Sequence, residues 1–310
     1  MFVVNFVGFE IIYLAKIVVM KEKILFVINP ISGNKSKKNI PDLIKQKFND
    51  NEYNVKIIFT QFAGEATQIV KQYILKGYKK IVAAGGDGTV NEVASGIADT
   101  EAVLGIIPLG SGNGLARHLN LPMKPNKALD IIKSATPIKI DYGKINDRKF
   151  FCTTGVGFDA HIGHVFSKLD GRGFANYIKA TISEFRKYEP KRYEISMNGT
   201  TIMRDAFLIT FANASQYGNN AHIAPKADII DGKLEVAILR QFPLLTAPGI
   251  GARLFLKNID KSSYIETFQC ESIVLKRANA EVIHFDGEPE EMGEVLNVKI
   301  IPEGLNVLAN

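Results

Sequence analysis

Residues 83–93 read AAGGDGTVNEV and place two glycines, an aspartate, a glycine and a threonine directly after a short apolar run. That run, KIVAA at 80–84, is short and uncharged and contains β-branched residues, which is typical of a strand buried on both faces. Apolar residues then recur at helical spacing, and Thr89 followed by Glu92 fits a capping box at a helix N-terminus. We therefore predict that GGDGT is a strand-to-helix turn.

The composition is that of a globular protein. The chain has 310 residues, of which 46% are apolar and 23% charged, and its length indicates about two domains. The net charge of +6 is spread along the chain, which favours a phosphorylated ligand or an anionic membrane surface over nucleic acid. Cys152 and Cys270 stand far apart and outside metal or redox spacing, so we predict a reducing compartment, the cytoplasm.

The N-terminal segment 1–19, MFVVNFVGFEIIYLAKIVV, is apolar but is interrupted by Glu10 and Lys16. No basic segment precedes it and no small-residue cleavage site follows, so the pattern does not indicate a signal peptide. We interpret residues 1–20 as an extension or a mis-set start, with Met20 as the initiator. An interfacial membrane anchor is the alternative.

The rest of the chain changes character near Pro137. From residue 21 to 136, strand and helix patterns alternate, which predicts an α/β domain with a parallel sheet covered on both faces. Residues 137–310 contain mainly short strand patterns and one clear helical pattern. They predict a second domain of antiparallel strands, the last of which can return to the first domain.

Three predicted strands of the first domain end in turns of small residues, NPISG at 29–33, GGDGT at 85–89 and PLGSGNG at 108–114. Because the carboxyl ends of parallel strands lie at one edge of a sheet, these turns should border one crevice. Glycines allow backbone N–H groups to approach a ligand closely, and helix N-termini add a positive dipole. One such turn is usually only a tight turn, but three together predict phosphate binding.

The common nucleotide signatures are absent, since the sequence has no GxxxxGK[ST] and no GxGxxG at the first turn. GGDGTVNEV instead resembles the nucleotide-binding loop of the diacylglycerol kinase and sphingosine kinase family of lipid kinases, although GGDGT alone also occurs in NAD kinases. Other matches follow in the order of that family: NPISG at 29–33, GSGNGLAR at 110–117, GVGFDA at 155–160, APKADIIDGKL at 224–234 and FDGEP at 285–289.

The resemblance implies an enzyme that transfers the γ-phosphate of ATP to a lipid hydroxyl, with ATP bound between an α/β domain and a β-sandwich domain. Phosphoryl transfer needs alignment and charge neutralisation more than covalent help, so backbone amides and Mg²⁺ are chemically adequate. By the pattern of the family, the residues around the nucleotide are Asn29, Ser32, Gly33, Thr60, Gly85, Gly86, Asp87, Gly88, Thr89, Asn91 and Ser111.

Two aspartates are candidate catalytic residues. Asp286 in FDGEP matches the general base proposed for the family, which accepts the proton of the lipid hydroxyl. From the residues alone, Asp286 and Gly287 also fit a hairpin turn. Asp87 is the competing base, and it could equally organise Mg²⁺-ATP.

A metal site is implied by ADIIDGKL, which resembles the structural magnesium site of the family. Asp231 would give a carboxylate, and Asp228 and Lys233 would contribute through backbone atoms or water. Hard oxygen ligands in a tight loop suit Mg²⁺. A plain Asp-Gly turn is the alternative.

The lipid acceptor stays open. Asn113 and Gly114 stand where many bacterial diacylglycerol kinases have an Asn-Asp pair, which is closer to sphingosine kinases. Diacylglycerol, a sphingoid base and another long-chain alcohol are all compatible with the sequence. We expect peripheral contact with the inner face of the membrane, no nucleic-acid partner, and a chain that is compatible with a homodimer.

Two other functions remain as alternatives. A soluble NAD or sugar kinase would share the GGDGT turn, but the GSGN and FDGE matches argue against it. A catalytically silent sensor of nucleotide or lipid would not need both Asp87 and Asp286, and the chain retains both.

Overall fold

The computed structural model describes residues 21–33, 39–168 and 174–309. The predicted extension at 1–20 lies outside these ranges. The described chain begins with four parallel strands in the spatial order β2-β1-β3-β4. Their bounds are Glu22–Ile28 for β1, Tyr53–Phe59 for β2, Lys80–Gly85 for β3 and Val103–Pro108 for β4.

Helices cover both faces of these strands. They are α1 (Ile40–Lys47), α2 (Glu65–Leu75), α3 (Asp87–Ile97), α4 (Gly114–His118) and α5 (Pro125–Ser134). The residues of β1 alternate between the two faces. Leu25 and Val27 pack with apolar residues of α2 and α3, whereas Ile24, Phe26 and Ile28 pack with residues of α1 and α5. This two-sided burial explains why the strand sequence is an unbroken apolar run.

The second half of the chain forms a β-sandwich. Its first layer is a six-stranded antiparallel sheet in the order β14-β13-β10-β7-β16-β17. These strands are β7 (Thr153–Gly157), β10 (Leu208–Ala212), β13 (Leu234–Leu239), β14 (Ile265–Cys270), β16 (Glu281–Phe285) and β17 (Glu288–Met292).

The second layer belongs to the same sheet as the parallel strands. It contains β5 (Pro137–Ile145), β6 (Arg148–Phe150), β8 (Lys191–Met197), β9 (Thr200–Ala206), β15 (Ser272–Lys276) and β18 (Val295–Leu308). Buried side chains from the two layers meet in one apolar core, which includes Val156, Val236, Ile195 and Leu275. The predicted fold class, a parallel α/β domain followed by an antiparallel β-sandwich, is confirmed.

The C-terminal strand β18 joins the two halves. It pairs parallel with β4 at Asn306 and Val307 and antiparallel with β5 from Val298 to Leu308, with a register shift between Ile301 and Leu305. One continuous sheet therefore runs from the parallel α/β domain into the sandwich.

Among the described residues of the second half, three further α-helices are present, namely α6 (Phe158–Ser167), α7 (Phe174–Phe185) and α8 (Ala247–Phe255). An aromatic group that includes Phe158, Phe185, Phe207 and Phe242 joins α6 and α7 to the six-stranded sheet, and Ile250 of α8 packs in the same apolar cluster. A short hairpin of β11 (Gln216–Gly218) and β12 (Ala221–His222) lies between this region and the first domain.

The predicted capping box at Thr89 and Glu92 is wrong. Helix α3 begins at Asp87 with Gly86 as its N-cap, three residues before the predicted N-cap Thr89. The Glu92 carboxylate instead accepts the backbone N–H groups of Gly64 (2.8 Å) and Ala66 (3.1 Å), at the N-terminus of the neighbouring helix α2. A local spacing rule cannot detect that partner, because it comes from another helix.

Candidate active site

The three small-residue turns meet at one edge of the sheet. They follow β1, β3 and β4, which are consecutive in the sheet. Gly86 and Gly110 approach so closely that a Cβ on Gly110 would lie 2.5 Å from the Gly86 Cα. Gly33, at φ +61°, likewise leaves no room for a Cβ beside the Leu109 carbonyl. Glycine is required at these positions because two backbones touch.

Side chains of the first turn tie it to α3. The Asn29 side-chain amide donates to Thr89 Oγ1 (3.2 Å), and the Asn29 Oδ1 accepts the N–H of Ile31 (3.0 Å). Ser32 is buried and its hydroxyl donates to the Asn29 carbonyl (3.1 Å). These bonds place Asn29, Ser32 and Thr89, all predicted from the sequence, in one cluster.

The other predicted nucleotide residues lie at the same edge. Gly85 closes β3 against the Thr89 side chain, and Thr60 follows β2 with its N–H donated to the Ile28 carbonyl (2.9 Å). Ser111 is exposed on the third turn. Gly88 lies against the Glu288 carboxylate, whose Oε1 would be 2.7 Å from a Cβ at that position.

Asp87 connects the second turn to the third. Its Oδ2 accepts the N–H of Asn113 (2.8 Å) and its Oδ1 accepts the N–H of Gly114 (2.7 Å). Burial raises the pKa of Asp87 to about 6 against the effect of these two bonds and of its own backbone N–H, and the Asp286 carboxylate adds to the rise. A carboxylate with that pKa changes charge near neutral pH.

Asp286 lies in the two-residue turn between β16 and β17, where it and Gly287 both have positive φ. The predicted hairpin turn at Asp286 and Gly287 is therefore confirmed. Its carboxylate also faces the chain before β7. Oδ1 accepts the N–H groups of Cys152 (2.7 Å) and Thr153 (3.1 Å), and Oδ2 accepts that of Phe151 (2.8 Å).

Asn91 links Asp286 to the first domain. Its side-chain amide donates to Asp286 Oδ2 (2.8 Å) and to the Lys149 carbonyl (3.1 Å). The sequence predicts Asn91 as a nucleotide contact, and the structure places its amide on the second catalytic candidate. Burial raises the pKa of Asp286, and the N–H donors oppose that shift. The two aspartates therefore lie at the contact between the domains, close enough for their charges to interact.

Comparison with known proteins gives the family. Residues 23–145 match the diacylglycerol kinase catalytic domain, and residues 152–309 match the YegS C-terminal NAD kinase beta sandwich-like domain. A diacylglycerol kinase of Bacillus subtilis is 31% identical over 221 residues, which cover 69% of this chain and 73% of that protein. This chain belongs to the diacylglycerol kinase family.

Two other similarities agree with that assignment. A protein of Chromohalobacter salexigens named "Probable lipid kinase YegS-like" is 29% identical over 248 residues, covering 76% of this chain and 78% of that one. The crystal structure of a diacylglycerol kinase from Bacillus anthracis superposes with a TM-score of 0.72 at 21% identity, covering 93% of this chain and 97% of the other. The second likeness concerns the fold. The chain is thus a kinase of a lipid-kinase family, and its substrates include a nucleotide.

The predicted metal residues of this kinase lie in the loop before β13. Asp228, Asp231 and Lys233 are all exposed. Asp231 Oδ1 accepts the Lys233 N–H (2.9 Å), and its Oδ2 accepts a long hydrogen bond from the Gln269 side chain (3.4 Å). Within the described ranges, no group of three or more His, Cys, Asp or Glu side chains is placed to hold a metal ion.

Sequence reasoning did not identify a buried polar cluster behind Asp286. Asp159 Oδ2 lies 3.1 Å from His284 Nε2 and accepts the hydroxyls of Thr210 and Tyr217, both at 3.1 Å. Asp159 and His284 stand inside or beside the motifs GVGFDA and FDGEP, so the signal was present in the sequence. Their pairing depends on β7 and β16 being neighbours, which no local pattern gives.

No helix of the described part of this kinase is long and apolar enough to cross a bilayer. The apolar segment 1–19 is not among the described residues, so the alternative of an interfacial anchor at that segment stays a prediction.

Replacing Gly110 with alanine should weaken nucleotide binding. The new Cβ would displace the backbone at Gly86, and overpacking of this kind costs about 1–3 kcal/mol. We expect ATP affinity, measured by calorimetry, to fall about tenfold or more. Gly293→Ala is the matched control, because no atom lies within 4 Å of its added Cβ. Wild-type affinity in Gly110→Ala would contradict the proposed nucleotide position.

Proposed function

We propose that this kinase transfers the γ-phosphate of ATP to the hydroxyl of a membrane lipid, such as diacylglycerol or a sphingoid base, at the cytoplasmic face of the inner membrane. One observation supports this proposal most directly. Three glycine turns and two aspartates lie together at the contact between the domains. Such turns suit phosphate groups, and an aspartate supplies the proton acceptor that a hydroxyl needs.

The glycine turns would hold the triphosphate. Helix α3 begins at Asp87, directly after the β3 turn, so the N–H groups of its first turn lack intrahelical partners. Those groups and the helix dipole favour a negatively charged ligand beside Gly86 and Gly88. Asn29, Ser32, Thr60, Asn91 and Ser111 would complete the surroundings of the nucleotide.

The two aspartates differ in their capacity to accept a proton. A carboxylate has about four lone-pair positions. At Asp286, four N–H groups occupy them, three from the backbone and one from Asn91. Asp87 accepts two N–H groups from the third turn and contacts its own backbone N–H, which leaves room for a hydroxyl proton.

Because of this difference, we propose that Asp87 is the base. Asp286 would instead hold Asn91 of the first domain against residues 151–153 of the second. A pKa of about 6 suits a base that works near neutral pH. For Asp286 to act as the base instead, the Asn91 amide must first rotate away and give up its bond to Lys149 as well. The sequence leaves both assignments open, and mutants of both residues distinguish them.

The residues of the exposed loop fit Mg²⁺. Asp231 offers a carboxylate oxygen whose long bond to Gln269 a cation can replace, and Mg²⁺ accepts one or two carboxylates with water. Partial desolvation of its carboxylate and the nearby Asp228 carboxylate raise the pKa of the exposed Asp231, while the Lys233 N–H opposes that rise. Asp231 would bind the ion directly, with Asp228 and Lys233 contributing through backbone or water. At the phosphates, Mg²⁺ would supply charge neutralisation.

Magnesium should therefore stabilise this protein without nucleotide. By mass action, an ion at about 100 times its dissociation constant adds about 2.7 kcal/mol of stability. We expect a rise in melting temperature with added Mg²⁺ in the wild type and none in Asp231→Ala, which should also lose stability and activity. Asp205→Ala, at another exposed aspartate, is the control. If added Mg²⁺ does not raise the melting temperature of the wild type, the proposed magnesium site is wrong.

A second candidate is a kinase for NAD or another small molecule. The observation that favours it is the description of the matched C-terminal domain, which is NAD kinase beta sandwich-like. Labelled ATP offered with a panel of diacylglycerol, sphingosine, long-chain alcohols and NAD distinguishes the two. Lipid phosphorylation is the expected result. Transfer to NAD would replace the proposal, and ATP binding without any transfer would indicate a silent sensor.

A further inference from the structure

Helix α8 presents an apolar face to solvent. The exposed residues of α8, together with Leu245 before it and Leu256 after it, recur at helical spacing, and none of these is charged or polar, whereas the exposed Lys257 follows directly after them. We call this the α8 face, and it consists of Leu245, Pro248, Gly249, Ala252, Phe255 and Leu256.

The opposite side of α8 is apolar too. Ile250 is buried, and Ala247 and Leu254 pack on the aromatic core beside the six-stranded sheet. Arg253, the charged residue of the helix, donates to the Asn258 carbonyl (3.3 Å) at the helix end. A surface helix normally keeps a polar face toward water, and a helix that is apolar on all sides is typical of a buried one. This pattern indicates that something covers the α8 face.

The exposure of this face is large. Leu245 is 94% exposed and Leu256 is 69% exposed. Single exposed leucines are common, but a group of apolar side chains on one helix face marks an interaction surface.

Charge indicates which surface covers it. The segment 240–261, which contains the α8 face, has a net charge of +3. Its charged residues are Arg240, Arg253, Lys257, Asp260 and Lys261. Asp260 pairs with Lys226 (3.1 Å), so its charge is compensated from outside the segment. An apolar face with basic side chains beside it complements an anionic bilayer, whereas a second copy of the same face would bring like charges together.

The α8 face is connected to the glycine turns. Helix α8 packs against β12, and the turn of the β11–β12 hairpin contacts the third glycine turn. There the Asn219 N–H donates to the Gly112 carbonyl (3.1 Å), which also accepts Arg117 Nε (2.9 Å). A membrane on the α8 face would thus lie next to the β11–β12 hairpin, and this hairpin borders the proposed phosphate site.

We propose that the α8 face docks this protein on an anionic membrane surface, with Leu245 and Leu256 inserted at the headgroup boundary and Lys257 and Lys261 against the lipid phosphates. The proposal rests on the proposed function in that the acceptor is a membrane lipid. Vesicle binding itself needs no catalysis, so it is measured separately.

The apolar part of the proposal is tested with Leu245→Glu combined with Leu256→Glu. Burying a leucine stabilises a contact by about 1.5–3 kcal/mol, so partial insertion of two should give at least a tenfold change. We expect the full-length variant to bind vesicles of equal phosphatidylglycerol and phosphatidylcholine about tenfold or more weakly in sedimentation. Leu75→Glu is the control, because Leu75 is 89% exposed on α2, away from the face. Unchanged vesicle binding in the double variant would overturn the proposal.

The charged part is tested with Lys257→Asn and Lys261→Gln. Asparagine is chosen at 257 because this residue has φ +55°, which asparagine tolerates. A basic residue near an anionic surface is worth about 1 kcal/mol, so each change should lower affinity about fivefold on the mixed vesicles and leave binding to pure phosphatidylcholine unchanged. Lys71→Gln, on α2, is the control. Equal losses on both kinds of vesicle would contradict an electrostatic role.

Two further measurements separate the competing explanations. If the glutamate variants change the oligomeric state in light scattering but bind vesicles normally, the α8 face is an interface between copies of the chain and the proposal fails. Phosphorylation of a short-chain diacylglycerol in detergent should stay near wild type in these variants. If the wild type phosphorylates no lipid yet the variants lose vesicle binding, the docking surface stands and the proposed function fails.

Discussion

Asp87→Asn should lower lipid phosphorylation by about 10²–10⁴-fold, the usual contribution of a general base. Asparagine cannot take the hydroxyl proton. Its side-chain oxygen can still accept one of the two N–H groups from Asn113 and Gly114, so the third turn keeps part of its anchorage. ATP affinity, measured by calorimetry, should therefore change much less than turnover. The control is Asp147→Asn, at an exposed turn residue.

The same assignment predicts a pH profile. Because burial raises the pKa of Asp87 to about 6 and the base must be ionised, activity is present above that pH and lost below it. We expect kcat/KM for the lipid to fall about tenfold per pH unit below about 6 in the wild type. A large loss of ATP affinity in Asp87→Asn would instead indicate that Asp87 organises Mg²⁺-ATP.

Asp286→Asn should lower the stability of the protein and also the rate of lipid phosphorylation. All four partners of the Asp286 carboxylate are N–H donors, and the new amide group would point its own N–H groups at some of them. A donor left without an acceptor costs about 1–3 kcal/mol. We expect a loss of that size in the free energy of unfolding by urea, with no comparable loss in Asp147→Asn.

The Asp286 variant also tests the coupling of the two aspartates. Since the Asp286 charge contributes to the raised pKa of Asp87, its removal should move the pH midpoint of activity below about 6. If Asp286→Asn is as stable as the wild type, binds ATP normally and loses turnover by about 10²–10⁴-fold, then Asp286 is the base and our assignment is wrong.

The meeting of the glycine turns could be predicted because it follows from a general property of parallel sheets. The runs before NPISG, GGDGT and PLGSGNG identify buried strands, and the carboxyl ends of such strands share an edge. The hairpin at Asp286 and Gly287 was likewise evident from two adjacent residues. These features depend on local sequence or on sheet geometry, so no knowledge of tertiary contacts is needed.

The partners of the key side chains could not be predicted, since they are distant in sequence. Asp286 accepts hydrogen bonds from Asn91 and from residues 151–153, and Glu92 caps a helix that precedes its own. Those contacts exist only once β16 lies beside β7 and α3 packs on α2. The apolar α8 face was missed for a related reason. Its composition is that of a core helix, and only the fold reveals that one side is exposed.

The fate of the γ-phosphate distinguishes a lipid kinase from a protein that only binds ATP. Wild-type protein and Asp87→Asn are incubated with γ-labelled ATP, Mg²⁺ and mixed micelles that contain diacylglycerol or sphingosine, and the lipid is extracted. We expect label in the extracted lipid with the wild type and about 10²–10⁴-fold less with the variant. Label that stays entirely in the aqueous phase for both acceptors, from a protein that binds ATP, would contradict the proposed transfer of phosphate to a lipid.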